Sequence, residues 1–155
     1  MMLNFQELYE TYAADIYRFA LWLSGDRFEA EDITSETFVR AWTRHSILRT
    51  ETLKAYLLAI ARNIYLAGHR RGKRQVALFD THPDSAPEPE QVVEMQLELR
   101  RVQRVLQALP EVDRAAFILR VQHELPCAEI ARVLGISLTA AKVKIHRVRK
   151  KLIAA

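Results

Sequence analysis

Apolar residues return every three or four positions along nearly the whole chain, and one stretch, residues 76–90, breaks the rhythm with Pro83, Pro87 and Pro89. A period near 3.6 belongs to a helix with one buried face, so the pattern confines the chain to helices that bury their stripes against one another. Phe5, Leu8, Tyr9, Tyr12, Ile16, Phe19, Ala20 and Leu23 form the first stripe, which ends near Ser24-Gly25. Asp26 with Glu29 reads as a capping box, and Ala30, Ile33, Thr37, Phe38, Ala41 and Trp42 continue as a second stripe. The pattern lapses from Thr43 to Thr50, a loop. It resumes with Leu53, Leu57, Ile60, Ala61 and Ile64, on a third helix running into His69-Arg70-Arg71-Gly72-Lys73-Arg74. Three such helices can bury one another as a unit.

Beyond residue 90, Val93, Leu97, Val102, Val105, Leu106 and Leu109 mark a helix stopped by Pro110. Pro110 suits the first turn of the next helix, with Glu111 at its dipole-favoured end. That helix turns Val112, Ala116 and Leu119 inward and frays near His123-Glu124. No strand pattern and no internal repeat stand out. The expected fold class is all-α: two small helical domains, residues 1–75 and 91–155, joined by a flexible acidic linker at 76–90.

Leu125 to Leu152 is the most informative stretch. Pro126 opens a short helix through Leu134, Gly135 supplies a tight turn, and Ser137 caps a further helix. Two helices crossing over a short turn need a small residue where they touch, Gly in the turn and aliphatic residues in the angle between them. Ala131, Gly135, Ile130, Leu134 and Ile136 meet those demands. On the last helix Ala141, Ile145, Val148 and Leu152 face inward. A projection at 3.6 residues per turn puts Thr139, Lys142, Val143, His146, Arg147 and Lys150 on the opposite side. This is a helix-turn-helix whose outer side chains can enter a major groove, with Lys144, Arg149 and Lys151 placed to flank it and meet phosphate.

Charge is distributed in blocks. Residues 1–38 carry eight acids against Arg18 and Arg27, residues 52–79 carry six Lys/Arg and no acid, and residues 75–99 carry six acids and no base. After Glu129 there are seven Lys/Arg and no acid. Two basic blocks separated by an acidic one imply two separate contacts with a polyanion.

A lone helix-turn-helix fits a repressor or activator as well as any other DNA-binding protein; the rest of the chain narrows the choice. The stretch Ala30-Glu31-Asp32-Ile33-Thr34-Ser35-Glu36-Thr37-Phe38-Val39-Arg40-Ala41-Trp42 resembles the polymerase-binding signature of sigma factor region 2. Leu57-Leu58-Ala59-Ile60-Ala61-Arg62-Asn63, followed by Arg70-Arg71, resembles the helix that engages the −10 element. Leu109-Pro110-Glu111 through Gly135-Ile136-Ser137 resembles region 4, which reads the −35 element. The motifs come in the order of the extracytoplasmic-function sigma factors and cover nearly the whole chain. Ser35 stands where the family usually has Gln, Ala67 where it often has Asp, and Thr139-Ala140-Ala141-Lys142-Val143-Lys144 replaces the usual recognition-helix start.

The resemblance implies a non-enzymatic subunit that binds core RNA polymerase through its β′ and β subunits and directs initiation at promoter DNA. It assigns polymerase docking to Glu31, Asp32, Ser35, Glu36, Phe38 and Trp42. It assigns the −10 element to Arg44, His45, Ser46, Arg49, Tyr56, Arg62, Asn63, Arg70 and Arg71, and the −35 element to Ser137, Thr139, Lys142, Val143, Lys144, His146, Arg147 and Lys150. An anti-sigma factor is a further expected partner. From the residues alone, the acids of the second helix also fit a solvated face, Tyr56 and Tyr65 fit half-buried packing as well as base stacking, and Trp22 and Trp42 fit core anchors.

No phosphate loop, nucleophile–base pair or catalytic carboxylate pair is legible, so neither catalytic residues nor a cofactor are expected. His123 and Cys127 are four apart, but Pro126 spoils a shared helical face for a metal. The single Cys127 excludes an internal disulfide and fits a reducing cytoplasm. No apolar run is long enough to span a bilayer, and Met1-Met2-Leu3-Asn4-Phe5 lacks a signal peptide's pattern. The reading from another class is a stand-alone helix-turn-helix repressor or activator.

Overall fold

The computed structural model describes residues 4–43, 52–70 and 90–154. These form seven helices: α1 (Phe5–Ser24), α2 (Arg27–Thr43), α3 (Leu53–Arg70), α4 (Glu90–Gln107), α5 (Glu111–Val121), α6 (Cys127–Leu134) and α7 (Leu138–Ala154).

Each boundary has a local cause. Asn4 accepts from the Glu7 amide at 2.8 Å while Glu7 reaches back to the Asn4 amide, a capping box that opens α1. Gly25 closes α1 in the left-handed conformation at φ 73°, which an L side chain adopts only with strain. Asp26 Oδ1 then accepts from the Phe28 amide at 2.8 Å, starting α2 one residue on. Pro110 and Pro126 sit at the N-caps of α5 and α6, so Pro110 lies one position earlier than the first-turn placement expected from sequence. Gly135 ends α6 at φ 67°, and the Ser137 hydroxyl accepts from the Ala140 amide at 3.0 Å at the start of α7.

Helices α1, α2 and α3 pack around Ile16, Phe19, Leu23, Ile33, Phe38, Leu57 and Leu58, all fully buried. Helices α5, α6 and α7 pack around Ala115, Leu119, Ile130 and Ala141, and α4 lies across α7 and α5 through Leu106, Leu109 and Val148. The expected stripe of α4 holds in its second half only: Leu106 and Leu109 are buried with Val102 packed against them, whereas Val93 and Leu97 are exposed, as are Val92, Met95 and Leu99. Trp42, read as a core anchor, is 42 % exposed and meets Phe5 edge to face, at 5.8 Å between ring centroids. It lies one residue before the end of α2.

The linker left the arrangement of the two halves open; in the structure they pack against each other. Helix α5 contacts α1, α6 contacts α3, and one continuous core runs through both halves. Polar groups reinforce the seam. Gln107 donates to the carbonyls of Trp22 and Leu23 at the end of α1, at 3.1 and 3.3 Å. Arg114 is buried and donates to the carbonyls of Leu23, Leu106 and Leu109 and to the Tyr65 hydroxyl. A buried guanidinium is tolerated only with its donors satisfied in this way. Burial pushes the Tyr65 hydroxyl above its ordinary pKa, while Arg114 opposes the shift.

Candidate nucleic-acid and polymerase interface

Helix α7 presents two unlike faces. Ala141, Ile145 and Val148 are buried against α4, α5 and α6, while Thr139, Lys142, Val143, His146, Arg147 and Lys150 are exposed on the far side. Ser137 caps this helix and is itself exposed, so its backbone role leaves it at the rim of that face. Lys144 is different: it is half-buried and donates to Asp113 Oδ1 on α5 at 3.1 Å. Its charge is shared with a carboxylate before any phosphate approaches.

Helix α2 places Glu31, Asp32, Ser35 and Glu36 on its exposed side, and Phe38 in the core at 1 % exposure. Phe38 therefore holds the helix in place from within. Two exposed apolar residues accompany the acids, Phe28 at 71 % and Val39 at 54 %. Spacings of four, three and four align Phe28, Asp32, Ser35 and Val39 in one row. The sequence reading passed over Phe28 and Val39; their signal was an apolar residue off the inward stripe on each flank of the acids. Glu36 also pairs with Arg40 at 2.5 Å, an exposed contact worth little.

Helix α3 divides its residues between two faces. Tyr56, Asn63 and Arg70, each seven apart, share one side; Asn63 and Arg70 are exposed and Tyr56 is half-buried. Arg62 and Tyr65 point elsewhere, toward the C-terminal helices. Arg62 Nε and Nη2 donate to the two carboxylate oxygens of Glu111 at 2.8 and 2.7 Å, with side chains 10 % and 17 % exposed. At the end of the same helix the Tyr65 and His69 rings lie 4.0 Å apart, and His69 Nε2 approaches buried Glu29 at 3.4 Å. Arg44, His45, Ser46, Arg49 and Arg71 lie outside the described residues. Among the described residues no group of His, Cys, Asp and Glu is arranged to hold a metal ion.

Two family models match the chain: Sigma-70 region 2 over residues 8–75 and Sigma-70, region 4 over residues 99–152. ECF RNA polymerase sigma factor SigM of Bacillus subtilis is 30 % identical over 152 residues, covering 97 % of this chain and 93 % of that protein. The chain belongs to the ECF sigma factors. A second relative, ECF RNA polymerase sigma factor SigE of Mycolicibacterium smegmatis, is 35 % identical over 97 % of this chain, which spans 61 % of its length. Among solved structures, the sigma factor RpoE of Bartonella quintana, in complex with the anti-sigma factor NepR, superposes with a TM-score of 0.75. It is 24 % identical, covers 96 % of this chain and 93 % of its own, and bears on the fold alone.

Sigma factors are regulatory, non-catalytic proteins that bind core RNA polymerase and direct promoter-specific initiation, and the stand-alone repressor reading is not favoured for an ECF member. In this sigma factor the region 2 match ends at 75 and the region 4 match begins at 99. The seam made by Arg62, Tyr65, Gln107, Glu111 and Arg114 thus joins residues of the two matched regions. Periodicity could not reveal it, because each partner lies about fifty or more residues from the other. None of the described helices is long and apolar enough to cross a membrane.

Proposed function

We propose that this ECF sigma factor divides promoter recognition between its two ends, with α7 choosing the −35 duplex and α3, with the loop before it, holding the melted −10 strand. Thr139, Lys142, His146 and Arg147 read base edges, and Ser137, Lys144 and Lys150 meet phosphate; Val143 adds apolar contact in the groove. Tyr56 stacks on an unpaired base while Asn63, Arg62, Arg70 and Arg71 hold its backbone, and Arg44, His45, Ser46 and Arg49 hold an extruded base. Asp32, Ser35 and Glu36, with Glu31 beside them and Phe28 and Val39 flanking, dock on the polymerase β′ subunit; Trp42 borders that surface and Phe38 supports it. Region 4 meets the β subunit. The site of action is the cytoplasm, no chemistry is catalysed, and an anti-sigma factor is a partner of the protein, as NepR is of the Bartonella sigma factor RpoE.

The observation that carries this reading is the exposed row of α7 opposite its buried stripe, in the same chain as the exposed acidic and apolar row of α2. The test is promoter-directed transcription with purified core polymerase. Charge reversal at Asp32 and Glu36 is expected to abolish core binding in a pull-down and transcription with it. Wild-type protein that binds DNA but not core polymerase would return the repressor reading.

A further inference from the structure

The proposed DNA-binding residues of α3 are not equally available. Tyr56, Asn63 and Arg70 line an open side, whereas Arg62, about 100° further round the helix, is 8 % exposed and faces α5. Its Nε–Nη2 edge is filled by Glu111, with both carboxylate oxygens within 2.8 Å. A guanidinium binds carboxylate and phosphate with the same forked edge. One edge cannot hold both at once.

We propose that Glu111 is an internal competitor for the strand-binding guanidinium of Arg62, so that the closed chain withholds this contact from DNA until its two halves part. This rests on the proposed role of α3 in holding the melted strand. Position supports it as well as chemistry. Glu111 opens α5, directly after Pro110, and the same helix carries Arg114, whose bond to Tyr65 at 3.0 Å engages α3 one turn beyond Arg62. Two side chains of α5 thus grip one face of α3, and both grips break together when α5 moves. The pair is mostly shielded from water, so salt screens it less than an exposed pair. Engagement of polymerase and upstream duplex by the separate halves supplies the free energy to open it.

The experiment compares the free full-length chain and its variants for binding a labelled, mixed-sequence single-stranded oligonucleotide by fluorescence anisotropy. Glu111→Gln is expected to tighten binding about tenfold, since it leaves the guanidinium edge without its charged partner. Glu94→Gln, at an exposed position on α4, controls for loss of one negative charge and should change binding less than twofold, roughly the effect of remote charge alone. The gain from Glu111→Gln must vanish in an Arg62→Gln background, because the competition acts only through that side chain. A gain no larger than that of Glu94→Gln, or one that persists without Arg62, overturns the proposal. Should circular dichroism show Glu111→Gln unfolded, Glu111→Asp takes its place: its shorter reach weakens the fork, a smaller gain is expected, and no gain over Glu94→Gln overturns the proposal. Promoter opening by Arg62→Gln holoenzyme separates the two levels. If it is defective while Glu111→Gln binds like wild type, only the competition fails; if it opens promoters as well as wild type, the role of α3 falls and the proposal with it.

Discussion

Helices α3 and α7 are the two basic helices of this sigma factor, and they stand in opposite states. α7 buries Ala141, Ile145 and Val148 and turns its cationic row to solvent, with Lys144 alone tied down by Asp113. α3 is buried along most of its length, and Arg62 is spent on Glu111. The difference follows from neighbours. α7 packs on α5 and α6 within its own half and has a free side; α3 packs on α1 and α2 and then receives α6 and the head of α5 from the other half. Under the proposed division of labour, the helix assigned to duplex DNA has its cationic row exposed, whereas the helix assigned to melted DNA is largely covered. Variants that act on the seam should therefore move α3's behaviour and spare α7's.

The largest effect is expected at Arg114. Its guanidinium donates to three carbonyls and one hydroxyl in a buried seam, and removing it deletes four charge-assisted hydrogen bonds at once, although the Leu23 and Leu106 carbonyls keep Gln107 and the Leu109 amide as donors. Arg114→Met should cost roughly 3–5 kcal/mol, since it loses several hydrogen bonds from a charged donor, lowering the melting temperature by about 10 °C. Calorimetry checks this. A drop of only a degree or two would mean that the seam contributes little, and the contrast between α3 and α7 would lose its physical basis.

A smaller effect separates the readers of α7 from its anchor. Arg147→Ala should cost roughly 1–3 kcal/mol at a matched −35 element and relax preference there, if it holds a base edge. Lys144→Ala should weaken all sequences by a similar, lesser factor, because Asp113 already shares its charge. Titration of holoenzyme on matched and mismatched promoters checks both. Equal losses on both promoters from Arg147→Ala would place that residue on phosphate.

How much of this was legible differs between the same two helices. For α7 the sequence held nearly everything, because Gly135, Ser137 and the inward stripe are local signals and a lone amphipathic helix has one free side. For α3 the inward row Leu57, Ile60, Ala61 and Ile64 was legible, but Leu53, read into the same row, is exposed at the start of the helix, and the fates of Arg62 and Tyr65 were not legible. Their partners Glu111 and Arg114 are 49 residues away in sequence, and no period links them. Phe28 and Val39 were missed for another reason: an exposed apolar residue looks like noise in a search for stripes. In α4 the stripe holds from Val102 to Leu109 but not at Val93 and Leu97: Val92, Val93, Met95, Leu97 and Leu99 are all apolar and all exposed, and an apolar period cannot tell a covered face from an uncovered one.

The smallest expected effect is a dependence of the seam on pH. His123, in the turn after α5, is 5 % exposed and meets the Phe19 ring of α1 edge-on, with centroids 5.9 Å apart. Among the described residues neither ring nitrogen has a hydrogen-bond partner. Burial first, and then the Lys54 ammonium of α3 and Arg18 of α1, lower its pKa to about 4, with Asp15 opposing. Asp15 also pairs with Arg18 at 2.6 Å, which limits what it can offer the imidazole. The neutral ring is therefore the form that the closed state accepts. In an opened state the ring returns toward its ordinary value near 6.5 and takes up a proton that the closed state refuses. The sign follows: above about pH 7 this group adds no pH dependence, and from about 6.5 down to about 4 each step in pH favours opening. Between pH 7 and pH 5.5 the closed-to-open ratio should fall by at most about tenfold. Paired fluorophores on α2 and α7 would report the separation of the halves across that range. His123→Phe keeps a ring against Phe19 and cannot titrate, so its profile should be flat over the same interval. A slope retained in His123→Phe would assign the pH response to another group and leave this imidazole a packing residue.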